Sequence, residues 1–591
     1  MAPPTAAVEV RGLTFRYPGA AHDTLRGVDL RIEAGDFVAV VGGNGSGKTT
    51  LCKAFNGLVP HFWSGDLTGT VLVDGRDTAD LSVAELSHHV GYVYQDFGNQ
   101  LVRPTVRDDV AFAPVNFGLA DWRERTDEAL EALGITAIAD RFTWQLSGGQ
   151  QHLTALAGAL ALRPSVLVVD EPVAEVDPAR AAEIYERLAW LNRTLGTTVV
   201  VIEHHAELVA RYARSVVLMA DGAPAWHLPV AEALARTDDL AAADIPAPQV
   251  TAVARAFAPT GPVPLTVPQT VRWLEEREVG PRVAGRPGGE APEVEVGAGA
   301  RPGGEVASVP DEPRVVAHLE GVGHGYRAVS GPRTEVLTGI DLTLREGERV
   351  ALVGSNGAGK STLLTLLAGL AVPRAGVVRV DGTDTRDVSA AELADTVCYL
   401  CQRPEEMFLQ DSVRADVAMH PAGRRVAGTT ELVEEVLERM QLGDVAHRDG
   451  RLLSGGQQRR ATLAVGLAMR PRLLLLDEPT SSLDLRSRDD VIAMLTALAE
   501  HIRCTVVATH DMHLVAEWAD RVIVLDGGRV LADATPAELF ARPDLLERAR
   551  LVPPQVTQLG LALGLDPVPL CVPDLLRRLT PRTPTTAGAP A

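Results

Sequence analysis

The chain carries the octapeptide Gly42-Gly43-Asn44-Gly45-Ser46-Gly47-Lys48-Thr49, which follows the apolar run Phe37 to Val41 and precedes a helix-compatible stretch up to Gly57. Glycines let the backbone turn tightly and leave its N–H groups free to converge on a phosphate, and the next helix adds positive partial charge at its N-terminus. A lysine and a hydroxyl residue at the end of such a loop reach the β- and γ-phosphates and Mg²⁺. The octapeptide therefore predicts a strand, a phosphate-binding loop and a helix.

The same pattern recurs 312 residues later as Gly354-Ser355-Asn356-Gly357-Ala358-Gly359-Lys360-Ser361. A chain of 591 residues is too long for one hydrophobic core, and a length prior of about 150 residues per domain suggests roughly four units. We therefore expect two copies of one nucleotide-binding domain, each with an appendage.

A second glycine-containing segment also occurs twice, as Leu146-Ser147-Gly148-Gly149-Gln150 and Leu453-Ser454-Gly455-Gly456-Gln457. Each copy precedes a stretch with helical periodicity. A serine and two glycines at a helix N-terminus expose N–H groups to an anion, so each copy is predicted to face a phosphate.

Two apolar runs end in paired carboxylates, Asp170-Glu171 and Asp477-Glu478. A continuous apolar run is typical of a buried parallel strand, and ligands of α/β sheets bind at the carboxyl ends of such strands. In both copies 23 residues separate the serine of the glycine segment from the aspartate. The aspartate suits Mg²⁺, and the glutamate is placed to polarise a hydrolytic water.

Three further residue types stand in matching places in the two copies. A glutamine follows a short strand, a histidine follows a later strand, and a tyrosine lies ahead of the phosphate loop. Each alone is more often a loop amide, a structural histidine or a core aromatic, so the pairing carries the interpretation. The glutamines are predicted to contact Mg²⁺ or water, the histidines to sense the γ-phosphate and the tyrosines to stack on adenine: Gln95, Gln402, His204, His510, Tyr17 and Tyr326.

The composition restricts the classes of partner. Hydrophobic residues make up 46% and charged residues 23% of the chain, as in a globular protein. The net charge of −21 argues against broad contact with a nucleic acid backbone, so no nucleic acid partner is expected. No apolar run approaches the ~18 residues that a membrane-spanning helix needs, so other subunits must supply the pore if the protein serves a membrane.

Taken together and in this order, the motifs resemble the nucleotide-binding domains of ABC ATPases. The Leu-Ser-Gly-Gly-Gln segments discriminate best, because the phosphate loop alone fits many NTPases. The resemblance covers about 8–225 and 315–533 and implies an α/β fold with two tandem P-loop NTPase domains. Each domain would hold a RecA-like core, an antiparallel β subdomain and a helical signature subdomain, followed by a small C-terminal extension.

The predicted domain boundaries follow from the repeat and from composition. The first nucleotide-binding domain covers 1–228 and its extension 229–276, and the second covers 314–533 with its extension at 534–580. Between them, 277–313 is rich in Gly, Pro and Glu and is predicted to be a flexible linker, and 581–591 to be a disordered tail. Asp177 and Asp484 match the D-loop aspartate of the family.

The resemblance implies a head-to-tail pairing of the two halves, in which each ATP lies between one phosphate loop and the other half's signature. The catalytic residues would be Glu171, Glu478, His204, His510, Gln95 and Gln402. Mg²⁺ would be held by Thr49, Gln95 and Asp170 in one site and by Ser361, Gln402 and Asp477 in the other. ATP would contact Gly42, Asn44, Gly45, Ser46, Gly47, Lys48, Thr49, Thr50, Gly354, Asn356, Gly357, Ala358, Gly359, Lys360, Ser361, Thr362, Tyr17, Tyr326, Ser147, Gly148, Gly149, Gln150, Ser454, Gly455, Gly456 and Gln457.

A narrower resemblance rests on the segment Gln95 to Leu101 and the helix-compatible run after it. The segment is similar to the glutamine loop of energy-coupling-factor and cobalt/nickel importer ATPases, which opens a helix that docks the membrane subunit. The second copy has Met407 where the first has Gln100, so it departs from the pattern at this position. Repeated Pro-Gln-Val-Thr segments at 248–251 and 554–557 also resemble extensions of that branch.

This branch implies integral membrane partners, namely an energy-coupling T-type component and a substrate-binding component. The chain would then be peripheral, at the cytoplasmic face of the cell membrane, and the solute a vitamin, a vitamin precursor or a transition metal ion. The alternative is a tandem ABC ATPase that acts on ribosomes, which the acidic charge and the interrupted linker oppose. A tandem sugar-importer ATPase is a third option, and the glutamine-loop segment favours the coupling-factor branch over it.

Overall fold

The structure is a computed structural model, and it describes residues 6–173, 178–282, 313–327, 333–481, 485–498 and 502–581. The chain divides into two compact units, Met1–Arg277 and Glu278–Ala591. One phosphate loop lies in each unit. Most of the predicted linker and nearly all of the predicted tail lie outside the described residues, as do Asp177 and Asp484. The boundaries inside each half remain predictions.

The strands of the first unit form two sheets. Their bounds are β1 (Ala6–Arg16), β2 (Leu25–Glu33), β3 (Phe37–Val41), β4 (Asp66–Val73), β5 (Arg76–Asp77), β6 (Val90–Val93), β7 (Val166–Asp170), β8 (Thr198–Ile202), β9 (Ser215–Ala220) and β10 (Ala223–Pro229). One sheet is antiparallel, in the order β2-β1-β4-β5. The other has the order β10-β9-β3-β8-β7-β6, in which all neighbours are parallel except β10 and β9.

The helices of the first unit are α1 (Lys48–Phe55), α2 (Leu58–His61), α3 (Val83–Leu86), α4 (Val106–Val110), α5 (Phe112–Asn116), α6 (Trp122–Ala132), α7 (Gly148–Leu160), α8 (Pro178–Leu195), α9 (Ala206–Tyr212), α10 (Val230–Ala233), α11 (Thr237–Ala242), α12 (Gln249–Phe257) and α13 (Val267–Glu276). Short 3₁₀ helices span Phe97–Gln100, Thr136–Ile138 and Thr143–Gln145. Helices α4 to α7 form the predicted helical subdomain, which the chain enters directly after the glutamine segment.

Strand β3 explains how the sequence places the phosphate loop. All five of its residues are buried. Phe37, Ala39 and Val41 pack into the core on the helical side of the sheet, whereas Val38 and Val40 pack into the core that includes the antiparallel sheet. A strand buried on both faces reads as a continuous apolar run, and its carboxyl end opens into the loop.

The second unit repeats this plan. Its strands are β11 (Val279–Pro281), β12 (Val315–Arg327), β13 (Arg333–Arg345), β14 (Arg349–Val353), β15 (Ala375–Val380), β16 (Thr383–Asp384), β17 (Val397–Leu400), β18 (Leu473–Asp477), β19 (Cys504–Ala508), β20 (Arg521–Asp526), β21 (Arg529–Ala534) and β22 (Leu579–Pro581). The antiparallel sheet has the order β13-β12-β15-β16, and the mainly parallel sheet has the order β17-β18-β19-β14-β20-β21.

The helices of the second unit are α14 (Lys360–Leu367), α15 (Ala390–Leu393), α16 (Val413–Gly423), α17 (Thr429–Arg439), α18 (Gly455–Ala468), α19 (Leu485–Leu498), α20 (Met512–Trp518), α21 (Pro536–Phe540), α22 (Pro543–Ala549), α23 (Gln555–Ala562) and α24 (Val572–Arg578). Short 3₁₀ helices span Pro404–Met407, Gly443–Val445 and Gly450–Leu452. The predicted α/β architecture is confirmed in both halves.

The last elements of the second unit include a pairing that sequence reasoning missed. Strand β11 pairs antiparallel with β22, so that Val279 lies opposite Pro581 and Pro281 opposite Leu579. Helix α24 ends at Arg578, and Leu579 begins β22. The partner strand lies about 300 residues earlier, and no local pattern announces it.

Candidate functional site

Both phosphate loops require glycine at their first position. Gly42 and Gly354 have φ of 148°, which L side chains rarely adopt. A Cβ on Gly42 would lie 2.3 Å from the carbonyl oxygen of Met219, and one on Gly354 would lie 2.2 Å from that of Leu525. The loop therefore packs directly against the end of the neighbouring strand, with no room for a side chain.

The loop lysines are buried and bound to their own loops. Lys48 Nζ donates to the carbonyl oxygens of Gly42 at 2.7 Å and Gly43 at 2.9 Å. Lys360 Nζ donates to the carbonyl oxygen of Gly354 at 2.8 Å. Each ammonium group thus lies within the concavity that the loop N–H groups surround, where a phosphate could replace the carbonyl contacts.

The side chain of Ser46, in the first loop, also suits a bound phosphate. Ser46 Oγ is buried, and the described part of the structure offers it no hydrogen-bond partner. A buried hydroxyl without a partner is costly unless a ligand or water satisfies it. The orphaned oxygen, the amine of Lys48 and the glycine backbone together fit a bound phosphate.

At the end of β7, Asp170 meets the hydroxyl residue of the loop. The Thr49 hydroxyl donates to the Asp170 carboxylate, and the Tyr92 hydroxyl also donates to it at 3.1 Å. Burial, reinforced by the charge of Glu171, raises the pKa of Asp170 to about 6. A carboxylate beside a hydroxyl is the oxygen ligand set that Mg²⁺ prefers, so these residues fit the ion.

The second half repeats this cluster at the end of β18. The Ser361 hydroxyl donates to Asp477, and Tyr399 donates to the same carboxylate at 3.3 Å. Burial raises the pKa of Asp477. Its Oδ1 is buried and has no partner among the described residues, which leaves an acceptor for a cation. Sequence reasoning missed both tyrosines, although each stands three residues before its glutamine.

The glutamates after both strands have a left-handed backbone. Glu171 has φ of 49° and Glu478 has φ of 48°. Their N–H groups donate to the carbonyl oxygens of Ile202 at 3.1 Å and Ala508 at 2.9 Å. Strained backbone of this kind persists where surrounding structure enforces it, and it is frequent at functional sites. The turn directs each glutamate toward the histidine that follows the adjacent strand.

In the first half, three predicted catalytic side chains come together. Gln95 Nε2 donates to Glu171 Oε2 at 2.7 Å, and His204 Nε2 lies 3.1 Å from Glu171 Oε1. The glutamate is partly exposed, so water can approach it. The predicted trio therefore forms one cluster.

In the second half, the glutamate is held differently. His510 Nδ1 lies 2.9 Å from Glu478 Oε2, and the backbone N–H of His510 donates to the same oxygen at 3.4 Å. Burial alone would raise the pKa of Glu478, but His510 and Lys360 together lower it, and Glu478 raises the pKa of His510. No hydrogen bond joins the Gln402 side chain to Glu478 within the described residues.

A buried arginine holds the second site together through hydrogen bonds. The sequence did not predict it. Arg459 of α18 donates to the carbonyl oxygens of Cys401 at 3.3 Å, Gln402 at 2.9 Å and Glu478 at 3.3 Å. One guanidinium thus connects the glutamine segment with Glu478, the predicted catalytic glutamate. Its counterpart in the first half is His152, five residues after the signature serine in both copies.

His152 provides no such brace. It is fully buried and stacks on Phe97, with ring centroids 4.8 Å apart. Burial lowers the pKa of His152 to about 4, so the ring is neutral near pH 7. The glutamine segment of the first half is therefore held to α7 by a ring contact instead of a charged hydrogen-bond network.

The signature segments begin long helices in both halves. Ser147 precedes α7, and its N–H donates to Gln150 Oε1 at 3.2 Å. Ser454 precedes α18, and its N–H donates to Gln457 Oε1 at the same distance. Each glutamine thus caps its own helix start, while the glycines leave backbone N–H groups exposed there. Contact of these segments with ATP remains a prediction.

The predicted adenine-stacking tyrosines lie beside the helices that follow the loops. Tyr17 shares a hydrogen bond of 3.2 Å with Thr50, and Tyr326 shares one of 3.3 Å with Thr362. Tyr326 is half exposed. Each ring is anchored near the phosphate loop by its hydroxyl and keeps exposed surface, which suits stacking.

No helix in the described part of the chain is both long and apolar enough to cross a lipid bilayer.

Comparison with known proteins places these features in a family. The family model described as ABC transporter matches residues 25–174 and 337–481. An ABC transporter ATP-binding protein of Methanosarcina acetivorans is 34% identical over 597 residues, which covers 98% of this chain and 94% of that protein. Another from Streptomyces avermitilis is 38% identical over 578 residues, covering 94% of this chain and 100% of that protein. The tandem layout is therefore shared by these relatives.

Two solved structures were also compared. The structure described as cbiO1 from Clostridium perfringens, part of the ABC transporter complex cbiONQ, is 32% identical, with a TM-score of 0.36, and covers 40% of this chain and 94% of that chain. The archaeal ribosome recycling factor, solved with a ribosomal stalk protein, has a TM-score of 0.54 at 19% identity and covers 90% of this chain and 91% of its own. The latter similarity shows a shared fold only.

Proposed function

The chain belongs to the ATP-binding protein family of ABC transporters and is an ATPase, and from this premise we propose that it energises an energy-coupling-factor-type importer of a micronutrient. The solute would be a vitamin, a vitamin precursor or a transition metal ion. The observation that carries the proposal is a pair of exposed apolar surfaces, one in each half, directly after the glutamine segments.

The first surface consists of Val102, Arg103, Phe112 and Val115. Val102 is 60% exposed, and Phe112 and Val115 are also exposed. The Arg103 guanidinium lies 5.0 Å from the centroid of the Phe112 ring, so the loop and α5 present one continuous surface. Buried Asp109 supports the loop by accepting the N–H groups of Val102 at 2.7 Å and Arg103 at 2.8 Å.

The second surface consists of Leu409, Gln410 and Met419 and is built in the same way. Leu409 is 65% exposed and Met419 is also exposed, and Gln410 Nε2 contacts Met419 Sδ at 3.7 Å. Asp416 accepts the N–H groups of Leu409 at 2.8 Å and Gln410 at 2.9 Å. The second half thus keeps the surface although it has Met407 in place of glutamine.

Exposed apolar surface that a buried carboxylate holds in shape is typical of an interaction site. Both surfaces adjoin the segments whose glutamine and backbone connect to the catalytic glutamates. Acidic side chains lie beside them, namely Asp96 and Asp108 in the first half and Glu405 and Glu406 in the second, all exposed. Such surfaces suit membrane subunits whose cytoplasmic helices carry apolar and arginine side chains.

In the proposed reaction, Lys48 and Lys360 exchange their loop carbonyl contacts for ATP phosphates. Thr49 with Asp170, and Ser361 with Asp477, would hold Mg²⁺, with Gln95 and Gln402 at the edge of each site. When bound, the ion supplies positive charge to the phosphate oxygens. In each half the hydroxyl and carboxylate oxygens of the proposed ion site lie in contact with each other.

Glu171 and Glu478 would orient and polarise the hydrolytic water, with His204 and His510 in contact with them. ATP binding would pair the two halves of one chain, with Ser147 and Ser454 facing the nucleotides, and hydrolysis would separate them. The covalent connection raises the effective concentration of one half near the other, which favours pairing within the chain. The resulting motion would be transmitted through the two exposed surfaces.

The test is capture of the tagged chain from its native cells in mild detergent, followed by identification of what accompanies it. Small polytopic membrane proteins should accompany the wild-type chain. Phe112→Glu combined with Met419→Glu should lose them while the purified chain keeps its ATPase activity. Leu195→Glu, which alters an exposed leucine at the end of α8, is the matched control and should retain them.

Ribosomal proteins without membrane subunits would overturn the importer proposal and favour the ribosome-directed alternative. Retention of the membrane proteins by the Phe112→Glu and Met419→Glu chain would contradict the docking role of these surfaces.

A further inference from the structure

The two halves place a carboxylate on opposite sides of the histidine that contacts the proposed catalytic glutamate. In the first half Glu203 comes directly before His204, whereas in the second half Asp511 comes directly after His510. The complementary positions hold Thr509 and His205. Relative to the histidine, the carboxylates of Glu203 and Asp511 thus differ by two positions in the two strand ends, which otherwise match.

Glu203 binds the backbone of the first histidine segment. It is 2% exposed, and its Oε1 accepts the N–H of His204 at 2.8 Å and that of His205 at 2.9 Å. The same oxygen contacts His205 Nδ1 at 2.7 Å, and Oε2 accepts the Tyr185 hydroxyl at 2.5 Å. These hydrogen bonds join the carboxylate to α8 and to the two histidines.

Asp511 performs a different task. Its Oδ1 accepts the N–H groups of His513 at 2.9 Å and Leu514 at 3.1 Å, so it caps α20. The N–H of Asp511 donates to Thr509 Oγ1 at 3.0 Å. The backbone N–H of His510 is therefore left to donate to Glu478.

This difference reaches the catalytic glutamates. In the first half the N–H of His204 is taken by Glu203, and the ring approaches Glu171 through Nε2. In the second half the ring approaches Glu478 through Nδ1. We propose that Glu203 is a positioning residue of the first ATP site, which holds the His204 backbone so that Nε2 of its ring meets Glu171.

The inference rests on the proposed role of Glu171 in polarising water, and not on the importer assignment. It predicts that the effect of changing Glu203 depends on whether the new side chain can still accept the N–H of His204. Thr at 203 is too short to reach that group, whereas Gln keeps an oxygen at the same distance. The two replacements should therefore differ in turnover.

The experiment compares steady-state ATP hydrolysis by the full chain carrying Glu203→Thr, Glu203→Gln or Tyr185→Phe. Glu203→Thr should lower kcat about fivefold with KM for ATP changed less than twofold, because binding groups are untouched. Glu203→Gln should stay within twofold of wild type. Tyr185→Phe removes only the bond to Oε2 and should also stay within twofold.

A second measurement assigns the effect to one site. Vanadate-trapped radioactive azido-ATP is cross-linked, and the chain is cut at a protease site inserted in 283–312, so that each half reports its own label. Because both ATPs belong to one cycle of pairing and separation, a slow first site slows the whole chain, and Glu203→Thr should reduce label on the first half by a larger factor than label on the second. Urea unfolding checks that each variant is folded.

Equal losses in the Thr and Gln variants, or an equal loss with Tyr185→Phe, would show that the buried cluster only stabilises the fold and would overturn the proposal. Unchanged kcat in Glu203→Thr, or an equal loss of label on both halves, would overturn it as well. If Glu203→Thr does not fold, the Gln variant decides, because a fivefold loss there contradicts the proposal. Failure of the membrane capture would leave all of these outcomes unaffected.

Discussion

The two catalytic glutamates have the same backbone conformation and different neighbours. Glu171 is contacted by the side chains of Gln95 and His204, whereas Glu478 is contacted by the ring and the backbone of His510. Behind them, the first half uses a neutral histidine stack and the second a buried arginine. The groups assigned to phosphate and water are thus duplicated, while the groups that hold them in place have diverged.

The largest effect is expected from the glutamates themselves. Glu171→Gln and Glu478→Gln should each lower ATP turnover about 100-fold or more, because a general base contributes roughly 10²–10⁴ in rate. ATP binding should persist, so nucleotide should stay trapped at the altered site, measured by filter binding. Glu186→Gln, on exposed α8 surface, is the control and should hydrolyse normally. If either variant hydrolysed ATP at the wild-type rate, that glutamate would not be a general base and the two sites would be unequal.

The next largest effect is expected on stability, at Arg459 and at its counterpart His152. Arg459→Met removes three hydrogen bonds to buried carbonyl groups and should lower the free energy of unfolding of the second half by about 4 kcal/mol. His152→Leu loses a ring contact and no charged group and should change the first half by about 1 kcal/mol. Urea unfolding measures both. Similar losses in the two halves would mean that the stack braces the first site as firmly as the arginine braces the second.

Stability at low pH should also distinguish the halves. Burial would raise the pKa of Glu203, but His205 and Tyr185 lower it to about 2, below the ordinary 4.5. A carboxylate with a depressed pKa contributes stability that is complete above its ordinary pKa and is lost as the pH falls toward 2. The contribution is on the order of 3 kcal/mol.

Glu203→Gln should therefore lose less stability than wild type between pH 5 and pH 3. Six of the seven tryptophans lie in the first half, so tryptophan fluorescence during urea unfolding follows that half. Glu207→Gln is a matched control in the same region. Burial raises the pKa of Glu207 to about 7. Its replacement should therefore not reduce the loss of stability between pH 5 and pH 3. If the free energy of unfolding fell equally with pH in wild type and in Glu203→Gln, the depressed pKa assigned to Glu203 would be wrong.

The smallest effect is expected at the tyrosines. Tyr17→Ala and Tyr326→Ala should each raise KM for ATP about fivefold with little change in kcat, because stacking on a base contributes about 1 kcal/mol or more. Tyr17→Phe and Tyr326→Phe keep the ring and lose the hydroxyl bonds, so KM should stay within twofold. If KM for ATP rose in only one of the two Ala variants, the two sites would also differ in how they bind adenine.

The sequence predicted which side chains lie around the two phosphate loops, because their spacing is duplicated and each lies at a strand end or helix start, while their roles toward phosphate stay predictions. It also predicted the α/β fold from β3 and its repeat, since an apolar run of that length before a glycine loop has few alternatives. Arg459 and Glu203 were not predicted. Their proposed functions depend on which carbonyl or N–H group lies nearby in three dimensions, and the local sequence does not distinguish them from the exposed arginines and glutamates of the described residues.

The short sheet of β11 and β22 has a consequence for synthesis of the chain. Val279 leaves the ribosome about 300 residues before Pro581, its partner in that sheet. At roughly 5–20 residues per second, β11 waits about 15–60 seconds for its partner. During that interval the first phosphate-loop domain can fold alone. The order of translation therefore makes this pairing one of the last steps in the maturation of the second unit.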